Sequence, residues 1–457
     1  KIRGSYALGI IHEEQPDKII CTRKESPLII GLGKDKNFIA SDVPAILKYT
    51  RDVIFLENDE IAIIEEGKVT VFNEEGKPIV KEISKIEWDM EQASKNGYPH
   101  FMLKEIEEQP AVVERTLEVY IKPDGKIDFG KAFEKIDFEK IKEIDIIACG
   151  TAYHAGLQAA YFFKKMAKIK TNVDIASEFR YSDPFLNEDN LVIFISQSGE
   201  TLDTLMALKL ARSKGAKTLA ITNVVGSTIS READVVLYTV AGPEISVAST
   251  KAYTTQVVTF YLLALYVAFK CKRVTLEEYD SYLDKIYSLS EKIGKMFFNK
   301  EKIEKIAQEI KDKKNGFYIG RGIDEKITRE GSLKMKEITY IHTEAFPAGE
   351  LKHGPIALIE EGTMIVVVST QRDMVEKVAS NIKELKARGA FVISVTKADY
   401  KEILDVSDRV ILIDDIDDMV APLLSMIPLQ LLSYYTAVAK GLDVDKPRNL
   451  AKSVTVE

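Results

Sequence analysis

Short apolar or alternating runs crowd the first 84 residues: SYALGII, DKIICTR, SPLIIGL, NFIASD, DVIFLE, EIAIIEE and KVTVFN, separated by Gly, Pro, Asn and Asp. Period-two patterning bounded by turn formers predicts strands, so residues 1–84 read as a β-rich unit. From about Glu82 the chain becomes mixed and charged around Trp88 and Tyr98, and residues 85–127 read as a linker. Beyond it, apolar runs of strand length alternate with longer amphipathic stretches, the pattern of a parallel α/β architecture. Laying the chain on itself exposes a repeat. IDIIACG, ending at Gly150, matches NGFYIGRG, ending at Gly322; LVIFIS, ending at Ser196, matches MIVVVS, ending at Ser369; KTLAIT, ending at Thr222, matches AFVISVT, ending at Thr396. The offsets are 172, 173 and 174 residues. Near-constant spacing across three strand ends predicts two tandem, doubly wound parallel-sheet domains, over about 128–290 and 300–440, with a tail at 441–457.

A length of 457 residues accommodates two or three domains, and 46% apolar with 29% charged residues is the composition of an ordinary globular protein. The net charge of -8 gives no reason to expect nucleic acid or an anionic membrane as a partner. Five His leave little scope for a His-rich metal site, and Cys21, Cys149 and Cys271 show neither CxxC spacing nor an even count. Reduced thiols in a cytoplasmic protein is the simple expectation, with no metal. The first residues lack a signal-peptide layout. The most apolar run, Val257 to Phe269, reads as too short to cross a bilayer and as a buried core helix instead.

The sharpest local signal is Ser196-Gln197-Ser198-Gly199-Glu200-Thr201, between the strand LVIFIS and a helix beginning LDTLMALKLA. A loop at the C-terminal end of a parallel strand, opening a helix, offers free N–H groups and the positive end of the helix dipole. Ser196, Ser198 and Thr201 add hydroxyls, and Gly199 permits a tight turn, so the loop suits a phosphate monoester. The same residues would also serve as a plain helix cap. In the second repeat the corresponding stretch, Ser369-Thr370-Gln371-Arg372-Asp373, has no Gly and no second Ser, which argues for one working site per chain.

Four further stretches carry candidate chemistry. Thr151, after the first strand of the first repeat, lies at the edge where ligands bind open α/β sheets, while Cys149 beside it reads as a small buried thiol. Ser249, in Val247-Ala248-Ser249-Thr250-Lys251, is either a donor to a sugar hydroxyl or the N-cap of the long apolar helix. Glu330, Lys334 and Glu337 share one helix face by their spacing, a pattern that solvated salt pairing also explains. The Gly-Glu-Leu-Lys-His-Gly-Pro loop that follows places His353 where catalytic groups concentrate. In the terminal NLAKSVTVE, Lys452 is an amine nucleophile only if the tail folds back over the sugar site; otherwise it belongs to a frayed end.

Together ACGTAYHAG, SQSGET, VASTKAYTTQ, KEITYIHTEAFPAGELKHGP and NLAKSVTVE resemble the glutamine–fructose-6-phosphate aminotransferase (isomerizing) family along the whole chain. IEWDMEQASKNGYPHFMLKEIEEQP looks like its interdomain linker, and RGSYALGII through NFIASD like the later half of its N-terminal-nucleophile (αββα) glutaminase domain. The resemblance implies two sugar isomerase (SIS) domains and conversion of fructose 6-phosphate plus ammonia to glucosamine 6-phosphate, the first step of hexosamine synthesis. In the intact enzyme L-glutamine supplies the ammonia, and glucose 6-phosphate is a related ligand. It further implies that Ser196, Gln197, Ser198 and Thr201 hold the phosphate, and that Thr151, Val247, Ser249 and Ala451 line the sugar site. Glu337 would move a proton between C-1 and C-2, with Lys334 and Glu330 around the enolate. His353 would assist ring opening from the neighbouring subunit of a homodimer, and Lys452 would form a Schiff base with the ketose carbonyl. No metal or organic cofactor is implied. A ketimine acidifies the neighbouring carbon and a carboxylate completes the shift, so these roles are chemically coherent.

One departure is that the family's glutaminase uses an N-terminal Cys, whereas residue 1 here is Lys. As written, this chain is expected to keep sugar isomerisation and not to hydrolyse glutamine. Two rivals remain: a non-catalytic sugar-phosphate sensor, which would need the cradle but no base or amine, and a deglycase or deaminase of aminosugar phosphates, which would need no ammonia-delivering domain.

Overall fold

The computed structural model describes residues 2–41, 43, 45–86 and 94–455. Of Trp88 and Tyr98, around which the linker reading is placed, Trp88 lies outside them. All seven strands expected at the front are present: β1 (Tyr6–His12), β2 (Gln15–Lys24), β3 (Ile29–Leu32), β4 (Asn37–Ala40), β5 (Asp52–Phe55), β6 (Ile61–Glu65) and β7 (Lys68–Phe72), joined by short β8 (Pro78–Ile79) and β9 (Ser84–Lys85). They form two antiparallel sheets, ordered β1-β2-β6-β7-β8 and β4-β3-β5-β9. Cys21, Ile30, Ile54, Leu56, Ala62 and Val71, drawn from both sheets, bury one shared core. This is the ββ layering that the resemblance implies. Ile46 and Leu47 cover the outer face of the second sheet.

The repeat is real in three dimensions. The first parallel sheet comprises β10 (Glu143–Ala148), β11 (Lys170–Ile175), β12 (Asn190–Ser196), β13 (Lys217–Thr222) and β14 (Val235–Tyr238). The second comprises β15 (Asn315–Gly320), β16 (His342–Pro347), β17 (Met364–Ser369), β18 (Phe391–Lys397) and β19 (Arg409–Ile413). Their orders, β11-β10-β12-β13-β14 and β16-β15-β17-β18-β19, are the same winding, parallel throughout. β12 and β17 are buried at every position, which is why they read as unbroken apolar runs: helices cover both faces.

Two findings differ from the sequence reading. Residues expected to be linker include two helices, Phe101–Glu107 and Gln109–Tyr120, whose Met102, Ile106, Val113 and Leu117 enter the main core. The apolar run Val257 to Phe269 belongs to a longer helix, Lys251–Lys270, which at 20 residues is long enough to span a bilayer, as is Ala421–Ala439. Length is therefore not what argues against a span; in each helix 89% of the most apolar 18-residue stretch is buried within the protein. The helices Gly150–Phe162 and Ile323–Thr339 start in equivalent places in the two repeats and pack on each other between the sheets. That contact brings the two domains' chemistry together.

Candidate functional site

The loop after β12 is held by its own hydroxyls. Ser196 Oγ accepts the Gly199 N–H (3.0 Å) and lies 2.9 Å from Thr201 Oγ1, while Ser198 Oγ accepts the Glu200 N–H at 3.1 Å. Thr201 occupies the N-cap of the helix Leu202–Ser213 but makes no side-chain cap bond. The hydroxyls therefore shape the loop and do not serve as a simple cap. Gly199 has φ +68°, and a Cβ there would sit 2.0 Å from Ser227 Oγ, so only glycine fits.

Thr151 stands in the first turn of the helix Gly150–Phe162, after β10, the strand beside β12. Its hydroxyl donates to Glu330 Oε1 (3.0 Å) and accepts from Lys334 Nζ (3.1 Å). Lys334 also bonds Glu337 Oε2 at 2.6 Å and lies 3.3 Å from Glu330, and His154 Nδ1 is 2.7 Å from the other Glu330 oxygen. Solvated salt pairing does not describe this row, since Glu330 and Lys334 have no exposed side-chain surface. Glu337 is 21% exposed, so of the two carboxylates only Glu337 can meet a ligand. Burial alone would lower the Lys334 ammonium, but Glu330 and then Glu337 outweigh it and hold it well above its ordinary value. Burial likewise pushes Glu330 up, and Lys334, His154 and Thr151 overcome that to keep it below the usual carboxylate value. This row is an ionised buried pair with one accessible base.

The tail folds back. The Leu202 N–H donates to Val454 O (3.2 Å), the Val247 N–H to Asp445 O (3.0 Å) and Ser26 Oγ to Thr455 O (3.3 Å). Lys452 is therefore laid onto the first domain, where it pairs with the buried carboxylate of Glu244. A cavity of about 240 Å³ results, lined by Gln197 and Ser198 of the loop, Ala451 and Lys452 of the tail, and Arg23 and Phe55 of the front sheets. Ser249 is not the helix N-cap; Thr250 is, and the Ser249 hydroxyl donates to Glu244 Oε2 at 3.1 Å.

His353 is the residue not brought in. It lies on an exposed turn, Leu351–His353, and among the described residues its side chain makes no hydrogen bond or ion pair with the cluster. In the second repeat, the loop after β17 receives a carboxylate from within: Asp324 accepts the Thr370 N–H (2.7 Å) and hydroxyl (2.6 Å). The Cys149 thiol is pushed up by burial, in keeping with an inert role. Sequence reasoning missed Arg23, Glu244 and His154. His154 was in view within ACGTAYHAG, and Glu244 stands three residues before Val247, but only the fold shows what each one faces.

Each of the two parallel sheets falls within a match to the SIS-domain family. The SIS-domain family model matches residues 137–266 and 309–440. Glutamine–fructose-6-phosphate aminotransferases (isomerizing) from Fusobacterium nucleatum subsp. nucleatum and Methanosarcina acetivorans are 58% and 49% identical over this whole chain, which spans 75% and 74% of their lengths. The solved C-terminal domain of glucosamine-fructose-6-phosphate aminotransferase from Francisella tularensis superposes with a TM-score of 0.74 at 42% identity, covering 78% of this chain and all of that one. The chain belongs to the glutamine–fructose-6-phosphate aminotransferase (isomerizing) family.

Proposed function

We propose that this chain converts fructose 6-phosphate and ammonia to glucosamine 6-phosphate by amination and ketose–aldose isomerisation. The phosphate sits on the loop Ser196–Thr201, with Gln197, Ser198 and Thr201 donating. The free N–H groups and dipole of the following helix support an anion there. The observation that carries the reading is the tail: it sets an amine, Lys452, into the cavity lined by Gln197 and Ser198. A sensor would need the cradle but neither that amine nor an accessible base.

Lys452 attacks the C-2 carbonyl and expels water, giving an imine; ammonia then adds at C-2 and displaces the lysine amine, leaving a sugar imine whose C-1 proton is acidic. Glu337 then carries the proton between C-1 and C-2. Lys334, ionised beside it, stabilises the negative charge developing on oxygen, and Thr151, Val247, Ser249 and Ala451 line the sugar. Glu330, inaccessible, fixes Lys334. The exposed position of His353 supports its serving the site of a second copy of the chain, as a homodimer requires, where it assists ring opening.

The test is trapping. With fructose 6-phosphate and borohydride the protein should acquire a stable adduct at Lys452, located by peptide mass spectrometry. Lys452→Arg should abolish both the adduct and turnover while inorganic phosphate still competes for the loop. No adduct in the wild type, or normal turnover by Lys452→Arg, would refute the imine.

A further inference from the structure

Glu244 is buried beside the cavity, and no step above uses it. It lies in the loop between β14 and the helix Lys251–Lys270, and its side chain has no exposed surface. Its Oε1 accepts the N–H groups of Thr250 (2.8 Å) and Ala252 (3.0 Å), so the start of the helix fixes the carboxylate in place. Its Oε2 takes the Lys452 ammonium and the Ser249 hydroxyl. Close behind, Glu105 of the helix Phe101–Glu107 accepts from the N–H groups of Ile245 (2.5 Å) and Ser246 (3.2 Å), and its other oxygen is buried without a hydrogen-bond partner. Other charges nearby are Lys251, itself held by Glu108 at 2.7 Å, and Arg23 and Glu200, which line the same cavity. Burial pushes Glu244 up, but Lys452 and the helix N–H groups outweigh it and keep it below the usual carboxylate value. Glu105 goes the other way, raised by burial and then by the charge of Glu244. Of the two neighbouring carboxyls, Glu244 is the ionised one.

We propose that Glu244 is the fixed counter-ion of the tail lysine, aiming its amine and then stabilising the iminium formed from it. The proposal rests on the Schiff-base reading of Lys452. The lysine ammonium and the ketose carbonyl become an iminium and one water: a C–N bond forms, the C–O bond breaks, and the oxygen departs with two of the ammonium protons. One of those protons must leave nitrogen before attack; Glu244 Oε2, in contact with it, takes that proton and returns it to the departing oxygen. Nitrogen carries one positive charge both before and after. A carboxylate locked by Thr250 and Ala252 therefore serves both states without rearranging, which is the condition for effective electrostatic stabilisation. The protonated imine is also the stronger electrophile, so the counter-ion eases the addition of ammonia at C-2 that displaces the lysine.

Borohydride reduces the iminium in preference to the neutral imine, so the pH profile of trapping at Lys452 reports on the counter-ion. Glu244→Gln keeps the size and an acceptor for the helix N–H groups but removes the charge. It should lower kcat by about 100-fold, the scale of losing one preorganised electrostatic partner, with KM for fructose 6-phosphate nearly unchanged. Its trapping should fall off at least about one pH unit below the wild type, equivalent to roughly 1.4 kcal/mol. Glu244→Asp retains the charge further from nitrogen and should turn over slowly with an unshifted trapping profile. If Glu244→Gln does not fold, Glu244→Asp decides: wild-type kcat or a shifted profile would overturn the proposal. Wild-type kcat and an unshifted profile in Glu244→Gln would also overturn it. Absence of any adduct in the wild type would instead remove the Schiff-base reading and this proposal with it.

Discussion

Lys334→Met tests whether the interdomain row is an ionised buried pair. The wild-type ammonium has no exposed surface and is shared by Glu337 at 2.6 Å, Thr151 at 3.1 Å and Glu330 at 3.3 Å. Methionine replaces most of the aliphatic stem, so the cavity left is small and the loss is mainly electrostatic. Glu330 would remain buried with only His154 and Thr151 as partners, whereas Glu337, partly exposed, can turn to water. Removing one member of a buried pair costs about 3–5 kcal/mol, a large part of the ~5–15 kcal/mol that stabilises a folded domain. Urea unfolding at neutral pH should show that loss, and Lys334→Met with Glu330→Gln should recover much of it, because no buried charge then stays unpaired. The acid dependence gives the sign. In the wild type Glu330 is held below its unfolded value of 4.5, so its contribution is present above that pH and is lost as pH falls through the folded value. In Lys334→Met burial is no longer balanced by the lysine, and the Glu330 value rises. Its contribution is then present below 4.5 and lost as pH increases, reversing the slope. A loss below about 1 kcal/mol, no recovery in the double variant, or an unchanged slope would refute the reasoning.

Ser198→Ala should weaken fructose 6-phosphate binding by about 1–3 kcal/mol, measured calorimetrically, because a hydrogen bond to a charged group is lost; if phosphate-free fructose bound as tightly as the ester, the cradle would be wrong. Gly199→Ala should lose phosphate binding and some stability, since its Cβ would overlap Ser227 Oγ at 2.0 Å in a backbone with φ +68°; a wild-type melting temperature and affinity would contradict this. Burial raises Asp324 from 3.8 to about 6, so its contribution is full below 3.8 and lost as pH rises through about 6. Asp324→Asn should flatten urea-measured stability across that window, and an unaltered pH profile would show that Asp324 is not the group responsible.

The tandem architecture was legible because its cause is local and repeats: strands buried on both faces must be apolar throughout, and LVIFIS and MIVVVS show that directly. The Ser196–Thr201 loop was legible for a similar reason, since strand, glycine and hydroxyls lie together along the chain. The helix spacing of Glu330, Lys334 and Glu337 showed that they share a face, but not that the face is buried. Burial is settled by the helix Gly150–Phe162 packing across it from the other repeat, bringing Thr151 and His154 to within hydrogen-bonding distance of a residue some 180 positions away. The same limit hid the helices Phe101–Glu107 and Gln109–Tyr120, whose charged residues interrupt the apolar stripe that Met102, Ile106, Val113 and Leu117 carry into the core. It hid Glu244 as well, a lone acid in a Gly-Pro loop by sequence. Tertiary structure alone decided that Lys452, 208 residues further on, would return to it. Ion pairs of this kind depend on distance through space and on exclusion of water, and neither is encoded in the spacing of residues along a chain.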